Sequence, residues 1–276
     1  FNYSYMINAL IVSCFVGSVC AILSNYLMLK GWSLIGDALS HSIIPGIALS
    51  YIINLPFAFG AFFSGAIASG LMIFIKKYSN LKEDAIIGLV FTTFFGLGLF
   101  IISIYPISLS IEKIMLGDIL TVSNEDKIQL LIISIISFLF LLIKWKDLLL
   151  VFFDERYAMA IGINIFLNKF IFFIILSAAC ISALKTVGAF LVVCMLVTPG
   201  ASAYLLSDDF KKMLFISTLF GFLSCFFGTY LSFHLNGATG AIIILIQTLI
   251  FVFCFLFSPK YGFLKKNIII KIKENK

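Results

Sequence analysis

Charge is scarce in this sequence. Only 12% of its 276 residues are charged and 62% are hydrophobic, and the mean hydropathy is +1.16. A soluble domain carries about 25% charged residues. This number of polar side chains is too small to cover the surface of a water-soluble globule of this size. Most of the chain must therefore lie in a lipid bilayer. This excludes a soluble enzyme.

Several catalytic and binding motifs are also missing. No GxxxxGK[ST] phosphate loop occurs, so the chain cannot hydrolyse nucleotides by itself. There are only two histidines and no HExxH, which excludes a zinc protease of that type, and no run of arginines indicates a voltage sensor. No CxxC pair occurs among the six cysteines, and no basic patch with interleaved aromatics predicts nucleic-acid binding. The sequence therefore predicts a protein that is not an enzyme.

The hydrophobic residues form runs of about 20, without the alternation of membrane strands. A run of that length as a helix crosses the ~30 Å hydrocarbon core, and helices satisfy their own backbone polar groups in lipid. We predict an all-α integral membrane protein, a polytopic bundle of about 8–9 transmembrane helices in one domain, residues 1–276. A short break at Leu184–Thr186 should make the sixth and seventh spans a tight hairpin. The nine candidate spans are 4–27, 33–53, 57–76, 85–105, 128–146, 165–184, 186–206, 212–234 and 238–258.

The basic residues are distributed unequally between the two sets of loops. Sixteen of the nineteen lysines and arginines fall on one side of the predicted topology, and three on the other. Cytoplasmic loops carry the excess of positive charge. The sequence thus predicts a cytoplasmic C-terminus and an N-terminus that faces outward.

The second predicted span contains two ionisable residues, Asp37 and His41. Their i, i+4 spacing places both on one helix face. A carboxylate and an imidazole together suit a divalent transition metal such as Mn²⁺, Zn²⁺ or Fe²⁺, and ionisable groups inside spans are usually functional. Asp37 could also orient the His41 ring through a hydrogen bond. The alternative interpretation is a carboxylate near the membrane surface beside a histidine that packs between helices.

Two Pro-Gly pairs lie about midway along their spans. Pro45 and Gly46 follow His41, and Pro199 and Gly200 lie in the seventh span, which runs in the opposite direction. Paired interruptions of this kind often mark the transport site of a membrane carrier. Proline also kinks helices for structural reasons alone. The four residues are therefore candidate positions for a helix break or a gate.

The segment Asp154–Gly162 follows the fifth span on the predicted cytoplasmic side. Acidic residues open it, small residues line one face and a glycine closes it, which predicts a short helix. An amphipathic helix in this place suits docking onto a soluble partner or resting on lipid.

At these motifs the chain resembles the membrane permeases of bacterial ABC importers for manganese, zinc and iron. Where that family often has Pro-Ala-Ala, this chain has Pro199-Gly200-Ala201, a departure that could loosen the helix. The resemblance rests on ordered blocks along most of the chain: Leu34–His41 with Pro45 and Gly46; Met115–Leu120; Asp154–Gly162; Thr186–Gly188 and Leu196–Pro199 with Ala201 and Ala203; and Gly237–Ala241.

The resemblance implies a multi-pass permease in a bacterial cell membrane, with no permanently bound cofactor. Its implied partners are a second permease copy, cytoplasmic ABC ATPases and an external metal-binding protein. It also implies that residues 154–162 form the coupling helix, with Asp154, Glu155, Ala158 and Gly162 at the ATPase. Two alternatives stay open: an ABC permease for a metal chelate or vitamin, and a secondary transporter that works alone.

Overall fold

A computed structural model describes residues 4–32, 34–55, 57–105, 124–235 and 237–258 of the chain. The predicted all-helical fold is confirmed, because every regular element in these ranges is a helix. The Met115–Leu120 block lies outside the described residues. In chain order the helices are α1 Ser4–Lys30, α2 Ile35–Ser42, α3 Ile44–Ile53, α4 Phe57–Tyr78, α5 Glu83–Ile104, α6 Asn124–Ile143, α7 Trp145–Phe153, α8 Glu155–Ala160, α9 Ile165–Val187, α10 Ala189–Leu206, α11 Phe210–Leu235 and α12 Thr239–Phe257.

Six of the described helices, α1, α4, α5, α9, α11 and α12, are long and apolar enough to cross a membrane. A seventh span forms if α6 and α7, which meet at a bend of 70°, are taken together. The other two predicted spans are helical but interrupted or short: 33–53 is the pair α2 and α3, and 186–206 is mainly the 18-residue α10. The multi-pass membrane bundle predicted from the sequence is thus present.

Glycine and proline explain where several helices end. Gly31, with φ of +72°, follows the last residue of α1, and Gly188, with φ of +92°, separates α9 from α10. Such positive φ values suit glycine, which has no Cβ to clash. The hairpin between the sixth and seventh spans therefore turns at Gly188, and the break predicted at Leu184–Thr186 is instead helical.

Helix α1 forms the centre of the bundle and packs against α6, α7, α9, α10 and α11. It crosses α11 at Gly17 and Gly221, where a Cβ on either glycine would meet the backbone oxygen of the other within 2.9 Å. Small residues let membrane helices approach this closely. Buried polar bonds join the same two helices, with Asn25 donating to Ser217 at 2.6 Å.

Helices α2 to α5 form a second group beside this centre. Helix α3 packs on α4 and α5, and α2 contacts α4, α5, α9 and α10. The crossing of α3 and α4 is very close at Gly46 and Gly60, since a Cβ on either residue would overlap the backbone of the other. Helix α2, which carries Asp37 and His41, is therefore held between α5 and α10.

Candidate functional site

Asp37 and His41 lie one turn apart on the eight-residue helix α2, on one face, as their spacing predicted. The distance from Asp37 Oδ1 to His41 Nε2 is 3.4 Å. The Asp37 side chain is 41% exposed and the His41 side chain only 11%. The pair thus offers a metal ion a partly exposed carboxylate oxygen from Asp37 and an almost enclosed imidazole nitrogen from His41.

Two aromatic rings of α5 hold the His41 imidazole. Phe91 and Phe95 each meet it edge-on, with centroid distances of 5.3 Å, and their own rings stack 5.9 Å apart. Edge-to-face contacts of this kind favour one ring orientation. The two phenylalanines therefore direct Nε2 of His41 towards Asp37.

A single chain supplies only part of a metal shell at this place. Structural zinc takes four donors, and octahedral manganese takes six. Across the described ranges, no group of three or more His, Cys, Asp or Glu side chains could hold a metal ion. Asp37 and His41 can therefore bind an ion only weakly by themselves, or with donors from a second molecule or water.

The chain breaks directly after His41. Helix α2 ends at Ser42, and α3 begins at Ile44 with Pro45 in its first turn. Proline has no N–H to bond the His41 carbonyl, and its ring crowds that oxygen. Ser64 of α4 donates to the carbonyl of Ser42 at 2.6 Å, so a neighbouring helix satisfies part of the broken backbone.

The second Pro-Gly pair does not break its helix, since α10 continues through Pro199. Ser24 of α1 lies against this turn, donating to the Val197 carbonyl at 3.1 Å and accepting from the Gly200 N–H at 2.9 Å. A Cβ on Gly200 would meet the Ser24 backbone at 2.8 Å. The glycine that departs from the family pattern therefore permits this close approach.

Helix α10 also touches the helix of the candidate metal pair. The Leu196 side chain lies over Gly36, where an added Cβ would meet its Cδ1 at 2.8 Å. Gly36 directly precedes Asp37. The position of α10 thus constrains where Asp37 can lie.

The predicted short helix is present as α8, Glu155–Ala160. The Asp154 carboxylate caps it, accepting from the N–H groups of Arg156 and Tyr157 at 2.9 and 3.1 Å. Gly162, with φ of +84°, follows it. Capping and the left-handed glycine fix both ends of so short a helix.

The side chains of α8 differ strongly in their exposure. Ala158 is 0% exposed and packs inside this chain, whereas Tyr157 and Met159 are 57% and 61% exposed. The family resemblance implies that Ala158 lies at the ATPase, but in the structure its side chain faces inward. The exposed surface of α8 is formed by larger side chains.

Glu155 also turns towards the bundle, and its Oε1 accepts from Lys30 at 2.9 Å and from Lys169 at 2.8 Å. Partial burial is the largest single influence on its carboxyl and raises the pKa. The two lysines together outweigh it and hold the pKa of Glu155 below its usual value. The ion cluster joins α8 to the end of α1 and the start of α9.

A cavity of about 520 Å³ lies beside this cluster, with mostly apolar walls. Its charged lining comes from Lys76, Glu83, Glu155 and Lys169. Lys76 lies 3.4 Å from Glu83, which also accepts a hydrogen bond from Trp32. Each lysine that lines the cavity is thus paired with a carboxylate of the same lining.

Sequence reasoning missed the residues that support these sites. The i, i+4 spacing of Phe91 and Phe95 marks one face of α5, but nothing in it indicates the His41 ring. Ser24, Ser64, Lys30 and Lys169 carry no local signal, because their partners lie far away in the chain.

Comparison with known proteins identifies the class to which this bundle belongs. Residues 2–258 match the ABC 3 transport family, and the chain belongs to that family. It is therefore a multi-pass membrane protein of an ABC transport family.

Particular relatives cover nearly the whole chain. It is 52% identical to the "Probable iron transport system membrane protein" of Haemophilus influenzae, over 97% of this chain and 95% of that one. It is 51% identical to the "Chelated iron transport system membrane protein YfeC" of Yersinia pestis, over 99% and 93%. It is 46% identical to the "Manganese transport system membrane protein MntB" of Synechocystis, over 96% and 87%.

Two solved structures share the fold. PsaBC from Streptococcus pneumoniae in complex with Fab matches with a TM-score of 0.85 and 33% identity, over 96% of each chain. An inward-facing putative metal-chelate type ABC transporter matches with a TM-score of 0.67 over 90% of this chain and 84% of that one. At 18% identity it supports the fold alone.

Proposed function

We propose that this chain is the transmembrane permease subunit of an ATP-binding cassette importer for divalent transition-metal ions: manganese, zinc or iron. The metal is cargo, and the chain holds no resident cofactor. The observation that carries this proposal is the Asp37–His41 pair, 3.4 Å apart at the end of a broken helix inside a membrane bundle. Family membership and relatives named for iron and manganese transport support it.

The electrostatics of the pair suit a cation that must also leave. Charge at a carboxylate within a membrane is costly unless a partner compensates it, and a bound cation does so. The C-terminus of α2 adds the negative end of the helix dipole beside His41. Two donors form a weak, incomplete shell, and weak binding allows release.

A second copy of this chain completes the shell in our proposal, because the Asp37 side chain is 41% exposed and the described residues of one chain bring no third His, Cys, Asp or Glu to the pair. A homodimer would bring two carboxylates and two imidazoles together. An external binding protein delivers the ion to the outer mouth, and two cytoplasmic ATPases drive the change of access. In this arrangement each chain acts as one transmembrane domain, with its N-terminus outside and its C-terminus in the cytoplasm.

Helix α8 is the proposed docking element for the ATPase. It exposes Tyr157 and Met159, and apolar side chains of this size suit a groove on a soluble partner. Glu155 ties the same helix to α1 and α9. Docking through the exposed side chains, together with these ion pairs, would let α8 carry movement into the bundle.

One relative is named for chelated iron, which favours a metal chelate as the second candidate cargo. A chelate arrives with its ligands, so its uptake would not need the Asp37 charge. A secondary transporter receives less support. Among the Asp and Glu residues whose burial the structure describes, none is fully buried, where a proton relay would place one.

Uptake by vesicles that contain the permease, its ATPase and its binding protein tests the proposal. Asp37→Asn and His41→Ala should each lower uptake of Mn²⁺, Zn²⁺ or Fe²⁺ by more than the ~10–100-fold that loss of a metal's outer-shell partners costs. His234→Ala, at the exposed end of α11, and Asp147→Asn, in an ion pair with Lys144, are matched controls. Uptake by both site variants at the wild-type rate would show that the pair is structural.

Chelated and free metal separate the two candidate cargoes. If the chelate enters and the free ion does not, and Asp37→Asn makes no difference, the chelate proposal replaces the ion. If the free ion enters only with Asp37 and His41 present, the ion is the cargo.

A further inference from the structure

Most serines in these helices bond their own helix. Ser18 donates to the Cys14 carbonyl at 2.7 Å, and Ser202 to the Thr198 carbonyl at 2.8 Å, four residues earlier in each case. This back-bonding is the usual local alternative for a serine inside a helix. It satisfies the hydroxyl without reference to any other helix.

Ser24 and Ser64 have different partners. Ser24 Oγ donates to Val197, 173 residues away, and Ser64 Oγ donates to Ser42, 22 residues away. Both acceptors lie two or three residues before a proline, Pro199 in one case and Pro45 in the other. Each serine therefore bonds a backbone turn that a proline has weakened.

A glycine follows each proline and lets the serine approach. A Cβ on Gly200 would lie 2.4 Å from Ser24 Oγ, and a Cβ on Gly46 would lie 2.6 Å from Ser64 Cβ. The Gly200 N–H also donates to Ser24. The same three components, proline, glycine and a serine from a neighbouring helix, thus occur at both places.

Both Pro-Gly joints are linked to α2, the helix of the Asp37–His41 pair. The first, Ser64 with Pro45 and Gly46, directly follows His41 at the end of α2. The second, Ser24 with Pro199 and Gly200, holds α10, whose Leu196 lies over Gly36. Helix α2 is held at one end by the first joint and beside Asp37 by the helix that carries the second.

We propose that Ser24 and Ser64 are positioning residues that hold these two Pro-Gly joints, where the junction of α2 with α3 and the middle of α10 bend to carry the Asp37–His41 pair between its two access states. Each serine adds a hydrogen bond within the turn that the proline interrupts, and a hydroxyl can exchange that bond for another as the backbone bends. Kinks at proline are the usual sites of such bending. The inference rests on the proposed function, since it assigns these residues a role in the same transport cycle.

The test compares Ser24→Ala and Ser64→Ala with Ser18→Ala and Ser202→Ala in vesicles with the ATPase and binding protein. The number of metal ions imported per ATP hydrolysed should fall roughly threefold to tenfold in the first two variants, the cost of one or two hydrogen bonds. It should stay at the wild-type value in the controls. The KM for the metal-loaded binding protein should be unchanged in all four, because all four serines are buried and cannot contact a protein that docks on the surface.

Ser24→Cys and Ser64→Cys keep a weak donor in nearly the same volume and should recover part of the ratio. This recovery separates a loss of the hydrogen bond from a loss of folding. A wild-type ratio in Ser24→Ala and Ser64→Ala, with the chain folded, would overturn the proposal, as would an equal fall in the Ser18 and Ser202 controls.

Asp37→Asn, measured in parallel, separates this inference from the proposed function. If Asp37→Asn abolishes uptake while the Ser24 and Ser64 variants keep the wild-type ratio of metal imported to ATP hydrolysed, the role proposed for the two serines is wrong and the proposed metal site stands. If Asp37→Asn transports normally, the proposed metal site is wrong, whatever the serine variants do.

Discussion

Lys30 and Glu155 meet at 2.9 Å although 125 residues separate them in the chain. Lys30 ends α1, the most buried of the six long helices, and Glu155 opens α8. Lys169 bonds the same carboxylate oxygen. The central helix of the bundle is therefore tied to the proposed docking helix by charge.

Glu155→Gln should uncouple ATP hydrolysis from metal uptake while the ATPase still binds. The amide keeps the shape of the side chain but removes the charge that holds both lysines. Because the cluster is partly exposed, the free energy of unfolding should fall by no more than about 1 kcal/mol. Metal imported per ATP hydrolysed is the measurement. Lys144→Met, which breaks only a local pair with Asp147, is the control; an equal effect there would contradict a special role for Glu155.

The same cluster has a defined pH dependence. Because the lysines hold the pKa of Glu155 below its usual value of 4.5, its contribution to stability should be fully present above that value. The contribution should be lost as the pH falls through the lowered pKa. Melting temperatures of the wild-type chain and Glu155→Gln in detergent should thus differ at pH 6 to 7 and converge in acid. Convergence on raising the pH would contradict the assignment.

Tyr157→Arg should prevent the ATPase from co-purifying while the permease stays folded. Tyr157 is 57% exposed and, two residues from Glu155, lies on another side of α8 from the ion cluster, so a charged side chain there would disturb an apolar contact with a partner. Ala158→Trp provides the contrast. Its side chain would enter a filled interior, so it should lower the free energy of unfolding by about 1–3 kcal/mol. Normal ATPase binding by a folded Tyr157→Arg chain would place docking elsewhere.

Phe95→Leu should raise the KM for metal without changing the ATPase activity of the complex. Leucine keeps the site apolar but loses the edge-on contact that fixes the His41 ring. Phe100→Leu, an exposed phenylalanine on the same helix, is the matched control. If the metal KM is unchanged in Phe95→Leu, the ring does not need this support.

Cysteine labelling in intact cells tests the proposed orientation. In a chain stripped of its native cysteines, Leu55→Cys should react with a membrane-impermeant reagent from outside. Asn80→Cys should react only after the membrane is opened. Both positions are exposed at helix ends, so access to the reagent decides the result. The reverse pattern would invert the topology that the lysine distribution predicts.

The sequence alone determined the membrane environment, the helical fold and the pair Asp37–His41. Each depends on local information: runs of about 20 apolar residues cross a bilayer, and a spacing of four places two side chains on one helix face. The short helix α8 could also be predicted from local information, because its acidic cap and closing glycine lie within nine residues of each other.

Only the tertiary structure decided what these elements contact. It placed Ala158 inside and Met159 outside on the same short helix, because burial depends on what α8 packs against. It brought Ser24 to Pro199 and Gly200, and Lys30 and Lys169 to Glu155. In a bundle where nearly every face is apolar, hydrophobic periodicity does not say which face meets protein and which meets lipid. Close helix crossings at glycine and individual hydrogen bonds determine which face packs against protein, and the residues that form them come from distant parts of the chain.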